Sequence, residues 1–583
     1  MRTFLLAGSL LALSAPVFAD ANNDLTALVN DVWATNLKEQ PVYASALGVN
    51  DYTTQLGDYT MAAQDRRAAD AQTFLTRLNA IPATALSPAS KVEAGILRRT
   101  LQSTIDGNRF GQRAINFTTY SSWHQQLAGM AQNLPFKTKA DFESYNARLA
   151  QYARVNDENI AVANVAIEGK YTQPCETLNG FEGTISGLIA QDMRTSRFYA
   201  PYVSKRPDNV SEADFTALAS AAENIITTVV HPALNKQLAW YSKDYKPACA
   251  KAPGVSAQPG GAAYYAFRIR EETTTDLSAE QIHQIGLSEV ARIRAEMTEV
   301  AQKAGYTTRE AFIEHLRTDP QYYAKTPEEL MEKVARVTKI IDGKMPSLFG
   351  RLPRLPYGIK EIPAETAEGT TTAYYNQGSP EIGISGTYFV NTSKLNQRPY
   401  WEIPALSVHE AVPGHHHQIA LQQELPLSDF RKYGAFFTAF TEGWGLYSER
   451  LGIEMGLYDT PAKDMGRLSY EMWRACRLVV DTGLHAKGWT KQQAVAFMTE
   501  NSALSAANIE AEVNRYISWP GQALAYKLGE LKIRELRAMA TKELGPKFDL
   551  AAFHDAVLGQ GSVPLDVLEQ QIKDWVAAEK AKA

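Results

Sequence analysis

The stretch SVHEAVPGHHHQI, Ser407–Ile419, holds four of the ten histidines of this 583-residue chain, and a glutamate directly follows the first of them. A His-Glu pair followed within two helical turns by another histidine is typical of a helix that holds zinc. In such sites the histidines are ligands and the glutamate polarises a metal-bound water. The pattern predicts a metal centre at His409 and Glu410.

The spacing of these histidines departs from the usual zinc helix, whose two ligands are four residues apart. That position after His409 is Pro413. On a regular helix His415 would point about 240° away, and His416 would share the face of His409 but lie about 10 Å along the axis. Pro413 and Gly414 provide a cause for a local bulge that would bring His415 beside His409. The alternative is a surface loop with a histidine cluster.

The composition is that of a soluble globular protein with room for two or more domains or one large helical body. Apolar residues make up 45% of the chain, charged residues make up 21%, and the formal net charge is −5. This balance indicates no nucleic-acid surface, and no apolar run after the N-terminus reaches the roughly 18 residues of a membrane span. We expect neither nucleic acid nor membrane as a partner, and a homodimer remains open.

Residues 1–19 have the pattern of a bacterial signal peptide. Arg2 precedes the apolar stretch Phe4–Leu13, and Val17–Ala19 resembles a cleavage site. With no cysteine near that site, we do not expect a lipid anchor. The prediction is a periplasmic or secreted protein that begins near Asp20.

The chain has three cysteines. In an exported protein Cys175 could pair with Cys249. Cys476 lies within an apolar helical run, so we expect it to be a small core residue.

The apolar pattern predicts a mostly α-helical protein, with an N-terminal helical region over residues 20–250 and a catalytic helical region over residues 251–583. Apolar residues at steps of three and four predict helices over Asn23–Leu37, Met61–Ala80, Ser87–Ser103 and Lys139–Gly169. Capping residues predict three more helices after residues 278, 307 and 326. Ala263–Ile269 is predicted to be a short strand or approach segment.

Residues 355–392 change to a β-branched and aromatic pattern with glycine breaks, which predicts a sheet of two to four strands just before the histidine stretch. An edge strand beside a metal can hold an extended peptide by main-chain hydrogen bonds. Gly383, Gly386 and Asn391 would permit close approach, and we include Asn391 among the predicted substrate-binding residues. The alternative is an ordinary hairpin packed on helices.

Glu442, in the segment TEGWGLYSE, is the candidate third ligand. Gly443 and Gly445 are poor helix formers, which makes sense if another backbone or an ion lies close. Glu449 is seven residues after Glu442, near the same helix face, and could orient a ligand histidine. A solvated helix face is the alternative.

Residues 469–488 are predicted to be an apolar helix with one polar stripe, formed by Arg474, Arg477, Asp481 and His485. Arg477 and Asp481 can pair, being four residues apart. Buried polar groups need partners. A substrate carboxylate, the surroundings of a metal, or an internal ion-pair network would each suffice.

Near the C-terminus, Arg515, Tyr516, Tyr526 and Lys527 surround a Pro-Gly break. A tyrosine hydroxyl that points at a developing oxyanion serves water-driven amide hydrolysis, and Tyr526 is the candidate. We expect Tyr516 to contact substrate. With the arginines of the preceding helix, Arg515 and Lys527 could hold a C-terminal carboxylate.

Together, HEAVPGHHHQ, TEGWGLYSE, RLVVDTGLH and RYISWPGQALAYKLGELKI resemble the bacterial domain-of-unknown-function family 885, from about residue 22 to the C-terminus. That family is similar to helical zinc metallopeptidases of the gluzincin type. The resemblance implies that His409, His415 and Glu442 hold one Zn²⁺, with Glu410 as general base. It also suggests that His485 and Tyr526 lie at the site.

The sequence departs from the gluzincin pattern at two points. The Pro-Gly insertion leaves His416 open as the second ligand. The acid that often follows the ligand glutamate by four residues is replaced by Leu446, so Glu449 or another acid must take its place.

These residues lead us to expect an exported zinc metallopeptidase that cleaves short peptides as a carboxypeptidase or an oligopeptidase. Two alternatives stay open. One is a metal-dependent hydrolase of a non-peptide amide or ester, and the other is a periplasmic binding protein whose metal is structural. Three protein ligands with an open position favour catalysis, and a closed shell favours structure.

Overall fold

The computed structural model describes residues 15–118, 121–189, 192–368 and 370–582. The core of the predicted signal peptide, Phe4–Leu13, lies outside the described residues. Those residues are mostly α-helical with one three-stranded sheet, which confirms the predicted fold class. No helix within them is both long and apolar enough to cross a bilayer.

The N-terminal part consists of eleven α-helices among the described residues: α1 (Ala15–Glu39), α2 (Pro41–Ala46), α3 (Met61–Ala80), α4 (Pro88–Gly107), α5 (Trp123–Gly129), α6 (Lys139–Leu149), α7 (Tyr152–Gly169), α8 (Phe181–Ser186), α9 (Ala200–Val203), α10 (Glu212–Ile225) and α11 (His231–Trp240). The predicted helix Lys139–Gly169 is therefore two helices, which are separated at residues 150–151. The other predicted helices of this part are confirmed.

Two separate apolar cores divide these N-terminal helices. Helices α5 to α11 pack around their own aromatic core, which includes Phe142, Tyr152 and Phe198. Helices α1, α3 and α4 instead share a core with the C-terminal helices, where Leu25 and Leu97 belong to the same cluster as Phe440 and Trp444. The predicted boundary at residue 250 stays a prediction, because part of the chain before it packs with the part after it.

Five further helices precede the histidine stretch: α12 (Gly261–Thr273), α13 (Ala279–Lys303), α14 (Arg309–Thr318), α15 (Pro327–Asp342) and α16 (Ala364–Ala367). The three helices predicted from capping residues are confirmed as α13, α14 and α15. The predicted strand Ala263–Ile269 is wrong, because this segment lies inside α12. Tyr265 and Ile269, four residues apart, are buried on one face of that helix, so packing overrides the β propensity of the segment.

The sheet contains β1 (Tyr357–Glu361), β2 (Ala373–Asn376) and β3 (Gly386–Val390) in the spatial order β1-β3-β2. Strand β1 runs parallel to β3, and β2 runs antiparallel to it, so β2 is an edge strand. This confirms the small sheet predicted for residues 355–392.

The hydrogen-bond register of β2 decides which of its backbone groups face the open edge. The amide of Asn391 donates to the carbonyl of Thr372, 3.0 Å away. In an antiparallel ladder hydrogen-bonded pairs alternate with non-bonded pairs. The N–H and C=O groups of Ala373 and Tyr375 therefore point away from β3, towards the open edge.

The remaining helices carry and enclose the histidine stretch: α17 (Ile403–Glu410), α18 (His415–Glu424), α19 (Thr438–Leu451), α20 (Pro461–Ala486), α21 (Lys491–Asn501), α22 (Ala506–Ser518), α23 (Ala525–Leu544), α24 (Leu550–Leu558) and α25 (Leu565–Ala581). Helix α17 lies between two apolar cores. Val408 belongs to the core shared with α19, and Ala405 belongs to the core shared with α20. Burial on both sides fixes this helix in place.

The cysteines behave as the sequence predicts. Cys175 and Cys249 form a disulfide that joins residues 74 positions apart. Cys476 is a free, buried thiol in α20.

Candidate metal centre

The histidine stretch forms two helices joined by a tight turn. Helix α17 ends at Glu410, and α18 begins at His415. Within the turn the amide of Gly414 donates to the carbonyl of Val408 at 2.9 Å. A Cβ at Gly414 would overlap the carbonyl oxygen of His409, so the turn requires glycine. The predicted bulge within one helix is thus a complete break between two.

This break brings two imidazoles together. The rings of His409 and His415 lie 4.6 Å apart between centroids and are nearly perpendicular. Glu442, on α19, completes a group whose three ligand atoms all lie within 4.8 Å of one another. His409, His415 and Glu442 therefore converge as the sequence predicts.

The two glycines beside Glu442 allow α19 to approach this closely. A Cβ at Gly445 would lie 2.7 Å from Cε1 of His409, and one at Gly443 would lie 2.5 Å from Cα of Gly529 on α23. Both distances are shorter than real Cβ contacts allow. Glycine at 445 makes room for the imidazole, and glycine at 443 makes room for the neighbouring helix.

The distances between the donor atoms fit a tetrahedral metal site. Oε2 of Glu442 lies 3.5 Å from Nε2 of His409 and 3.3 Å from Nε2 of His415. Nitrogen and oxygen donors that bind zinc at about 2.0–2.2 Å are about 3.3–3.6 Å apart in a tetrahedron. Among the described residues, the buried Oε2 of Glu442 has no hydrogen-bond partner. An ion would satisfy this atom.

Glu449 orients the first histidine. Its Oε1 lies 2.8 Å from Nδ1 of His409 and 3.1 Å from a terminal nitrogen of Arg474. With the Nδ1 proton directed to Glu449, the lone pair of Nε2 faces Glu442, as a ligand imidazole requires. Glu449 thus occupies the position predicted for it.

Without an ion the cluster is held together by charge. Burial alone would lower the pKa of His409, but the adjacent carboxylates of Glu442 and Glu449 raise it to about 9. Burial alone would raise the pKa of the Glu442 carboxyl, but the adjacent His415 and His409 hold it well below its usual value. A bound cation would replace the proton on His409.

A cavity of about 180 Å³ opens on these three side chains. Glu410 lines it next to His409, in the place expected of a general base. Strand β2 contributes Ala373, Tyr374 and Tyr375 to the same wall. The cavity therefore combines the candidate ligands, an acid and the open strand edge.

Tyr526 lies over His409 with its ring nearly parallel, at 6.3 Å between centroids. Its hydroxyl oxygen accepts hydrogen bonds from Arg515 at 3.0 Å and from the Gln522 amide at 3.4 Å. Burial raises its pKa. Because both neighbours donate to the oxygen, the hydroxyl proton is available for donation to a ligand in the cavity that Tyr526 lines.

All three predicted substrate-binding arginines line the cavity: Arg474, Arg477 and Arg515. Arg477 does not pair with Asp481 as predicted. Its terminal NH2 group donates to Glu512 on α22, 2.7 Å away, since that acid approaches from the neighbouring helix.

Two predicted histidines do not reach the cluster. Nδ1 of His416 is 3.0 Å from the hydroxyl of Tyr375, and its Nε2 donates to the carbonyl of Leu355 at 2.9 Å. His485 accepts from the amide of Val255 and donates to the carbonyl of Tyr516. With both ring nitrogens engaged elsewhere, His416 is not the second ligand and His485 is not at the site.

Four other predicted site residues serve the fold instead. Asp481 accepts hydrogen bonds from the Tyr265 hydroxyl and the Gly521 amide, and it is not among the residues that line the cavity. The side-chain amide of Asn391 donates to the backbone carbonyls of residues 367, 370 and 371. The Tyr516 hydroxyl accepts from Trp473 and Arg477. Lys527 is fully buried in ion pairs with three glutamates.

Sequence reasoning missed Trp473 and Glu512. The Trp473 ring lines the cavity and lies under both guanidinium groups, with Arg474 at 4.1 Å and Arg477 at 4.6 Å from its centroid. Glu512 is fully buried and lies 3.6 Å from Arg515, three residues further along α22. That (i, i+3) spacing is the signal that would have indicated the pair.

The fold and the site define a mostly helical protein with a buried His-His-Glu group beside an edge strand. The chain belongs to the family described as bacterial protein of unknown function, DUF885, whose family model matches residues 41–572. This confirms the family resemblance.

The solved structures that are similar to the chain include the following two. One, the "putative lipoprotein" from Colwellia psychrerythraea, is 30% identical, with a TM-score of 0.86 over 96% of this chain and 99% of that one. The other, a "putative lipoprotein of unknown function" from Shewanella oneidensis, is 20% identical, with a TM-score of 0.67 over 95% of this chain and 99% of that one. No curated protein sequence matches.

Proposed function

We propose that the chain is an exported zinc-dependent peptidase that acts on short peptides. The observation that carries the proposal is the convergence of His409, His415 and Glu442 at tetrahedral donor distances. In the described part of the chain, no fourth histidine, cysteine or acid joins this group. Three protein ligands and an open position are the arrangement of catalytic zinc sites, whereas structural sites are closed by a fourth ligand.

Zinc, when bound, would supply a Lewis acid that polarises a carbonyl and makes water a nucleophile at neutral pH. Glu410, on the wall of the same cavity, would accept the proton of the attacking water and deliver it to the leaving nitrogen. Tyr526 would donate its hydroxyl proton to the developing oxyanion, since its oxygen already accepts from Arg515. Each role falls to a side chain of one small cavity.

The open edge of β2 supports a peptide as the substrate. Its main-chain groups at Ala373 and Tyr375 face away from β3, and both residues line the cavity. An extended peptide can add to such an edge by main-chain hydrogen bonds. An ester or amide without a peptide backbone would leave these groups unused.

Export is supported by three observations. The disulfide between Cys175 and Cys249 belongs to an oxidising compartment such as the periplasm. The signal-peptide pattern of residues 1–19 predicts the same destination. The description of the similar Colwellia psychrerythraea protein as a lipoprotein agrees with a location outside the cytoplasm.

The test is zinc content and cleavage of a mixed peptide library by the wild type and by Glu410→Gln. We expect one zinc per chain in both proteins, cleavage by the wild type, and at least about 100-fold slower cleavage by the variant. Glu424→Gln is the control, because Glu424 pairs with Arg354 on the surface. Unchanged cleavage by Glu410→Gln would exclude Glu410 as the base. No cleavage by zinc-loaded wild type would overturn the peptidase proposal.

A further inference from the structure

Arg477 brings a buried cation with an unused donor to the wall of the site cavity. Its side chain is 1% exposed. Its NH2 group donates to Glu512 at 2.7 Å and its Nε to the Tyr516 hydroxyl at 3.0 Å. Among the described residues, NH1 has no hydrogen-bond partner. An unpaired buried donor costs free energy, which an accepting ligand in the cavity would recover.

The charges around the cavity favour an anionic ligand once zinc is bound. Two arginines and four glutamates accompany Arg477, either on the cavity wall or paired with residues on it: Arg474, Arg515, Glu410, Glu442, Glu449 and Glu512. Three guanidinium groups and one Zn²⁺ carry five positive charges, against four from the carboxylates. The remaining positive charge lies where burial weakens screening by salt.

The size of the cavity limits what this anion can be attached to. Its volume of about 180 Å³ is below the roughly 300–1,000 Å³ of sites that enclose drug-sized ligands. It suits one amino-acid residue rather than a long segment. Every peptide with a free C-terminus carries an α-carboxylate, and only one residue separates this anion from the last peptide bond.

Strand β2 gives the bound peptide a direction. At its start, the Thr371 hydroxyl donates to Asn508 of α22 at 3.4 Å, and α22 also carries Arg515. Beyond its end, Gln423 of α18 donates to the Gly378 carbonyl at 3.1 Å. Residues 371–375 line the small cavity together with the arginines, so a peptide whose C-terminus lies on the arginine side runs antiparallel to the strand.

The rest of such a peptide would have room beyond the end of β2. Residues 376–379 line a second, larger cavity of about 740 Å³, whose walls include Trp33, Tyr43 and Tyr433. The edge strand thus leads from the small charged cavity to a larger one with aromatic walls. This asymmetry matches a substrate with one residue on one side of the cleaved bond and several on the other.

We propose that Arg477, with Arg515, binds the free α-carboxylate of the C-terminal residue, so that the site removes single residues from the C-terminus of short peptides. This inference rests on the proposed peptidase function. In the reaction, the hydroxyl of water bonds to the carbonyl carbon of the last peptide bond, and the C–N bond breaks. The proton passes through Glu410 to the leaving amino group.

The experiment compares three forms of one hexapeptide with zinc-loaded protein: the free acid, its C-terminal amide, and its N-acetylated acid. We expect the free acid and the N-acetylated acid to lose the C-terminal residue at similar kcat/KM. We expect kcat/KM for the amide to be lower by a factor of at least about 100, because the amide cannot form charge-assisted hydrogen bonds to the arginines. Mass spectrometry of the products identifies the cleaved bond.

Variants then assign the carboxylate to the arginines. In Arg477→Gln, and separately in Arg515→Gln, the ratio of acid to amide kcat/KM should fall towards one, a readout that loss of stability alone would not change. Arg467→Gln is the matched control, because Arg467 is also buried on α20 but pairs with Asp464. It should keep the wild-type ratio.

The outcomes separate the two proposals. Cleavage of internal bonds, or equal rates for acid and amide, would overturn the carboxylate inference and leave the peptidase proposal intact. If N-acetylation abolishes cleavage, the carboxylate inference is likewise overturned and the peptidase proposal stays intact. If none of the three peptides is cleaved by protein that holds zinc, the peptidase proposal itself fails.

Discussion

Nδ1 of His409 lies 2.8 Å from Oε1 of Glu449, seven residues after Glu442 on the same helix. One helix thus supplies both a candidate ligand and the acid that orients another ligand. The side chains of Glu442 and Glu449 reach two different nitrogens of one imidazole. This arrangement holds the Nδ1 proton of His409 on Glu449, so Nε2 is the nitrogen that becomes a ligand once an ion displaces its proton.

Replacing Glu449 by glutamine should weaken zinc binding about 10- to 100-fold, because the imidazole loses its charged acceptor. Zinc affinity can be measured by competition with a chromophoric chelator. Glu454→Gln, which affects an acid paired with Arg537, should retain wild-type affinity. Equal affinities for the two variants would mean that Glu449 does not support the ligand.

Gly445→Ala should abolish high-affinity zinc binding, because its Cβ would displace the His409 ring. Gly443→Ala places the same methyl group against the backbone of Gly529 instead. It should lower the free energy of unfolding by about 1–3 kcal/mol with a smaller loss of zinc affinity. Calorimetric zinc titration and urea denaturation of both variants distinguish the effects. The prediction fails if Gly445→Ala binds zinc as the wild type does.

His485 should contribute to stability in a pH-dependent manner. Burial lowers its pKa from 6.5 to about 4, so between these values the unfolded chain binds more protons than the folded one. The contribution is complete above pH 6.5. As the pH falls from there towards 4, the folded chain loses about 1.4 kcal/mol of this stability for each pH unit.

The comparison is urea denaturation of the wild type and of His485→Gln at pH 7.5 and pH 5. Glutamine does not titrate, so the stability advantage of the wild type should shrink by roughly 2 kcal/mol at the lower pH. Zinc affinity should be unaffected. A pH-independent difference between the two proteins would refute a buried neutral His485.

The disulfide should stabilise the folded chain appreciably. Cys175 and Cys249 are 74 residues apart, and chain entropy predicts about 4 kcal/mol for a loop of this length. The double variant Cys175→Ser/Cys249→Ser should therefore unfold at a lower temperature, and reductant should lower the Tm of the wild type but not that of the variant. Cys476→Ala is the control, because it removes a cysteine that forms no disulfide. A Tm insensitive to reductant would contradict the prediction.

Local sequence signals predicted much of the site. Pro413 and Gly414 indicated that the helix deviates, and the glycines at 443 and 445 indicated a close neighbour. The spacing of Glu442 and Glu449 placed both acids on one face. These features work because each depends on backbone geometry within a few residues.

Other residues could not be assigned from the sequence, because their partners come from distant segments. His416 is withdrawn from the site by Tyr375 and Leu355, and Arg477 pairs with Glu512 of the neighbouring helix rather than with Asp481. The predicted (i, i+4) pair of Arg477 and Asp481 was the best local choice. In the folded protein Arg477 pairs with Glu512 instead, and Asp481 accepts from the Tyr265 hydroxyl.

The central claim is that His409, His415 and Glu442 bind one zinc ion with an open fourth position. A crystal structure of zinc-loaded protein, with anomalous scattering recorded at the zinc edge, tests it most directly. We predict one strong peak about 2.0–2.2 Å from Nε2 of both histidines and from the carboxylate of Glu442. A peak ligated by other residues, or none among these three side chains at saturating zinc, would contradict the claim.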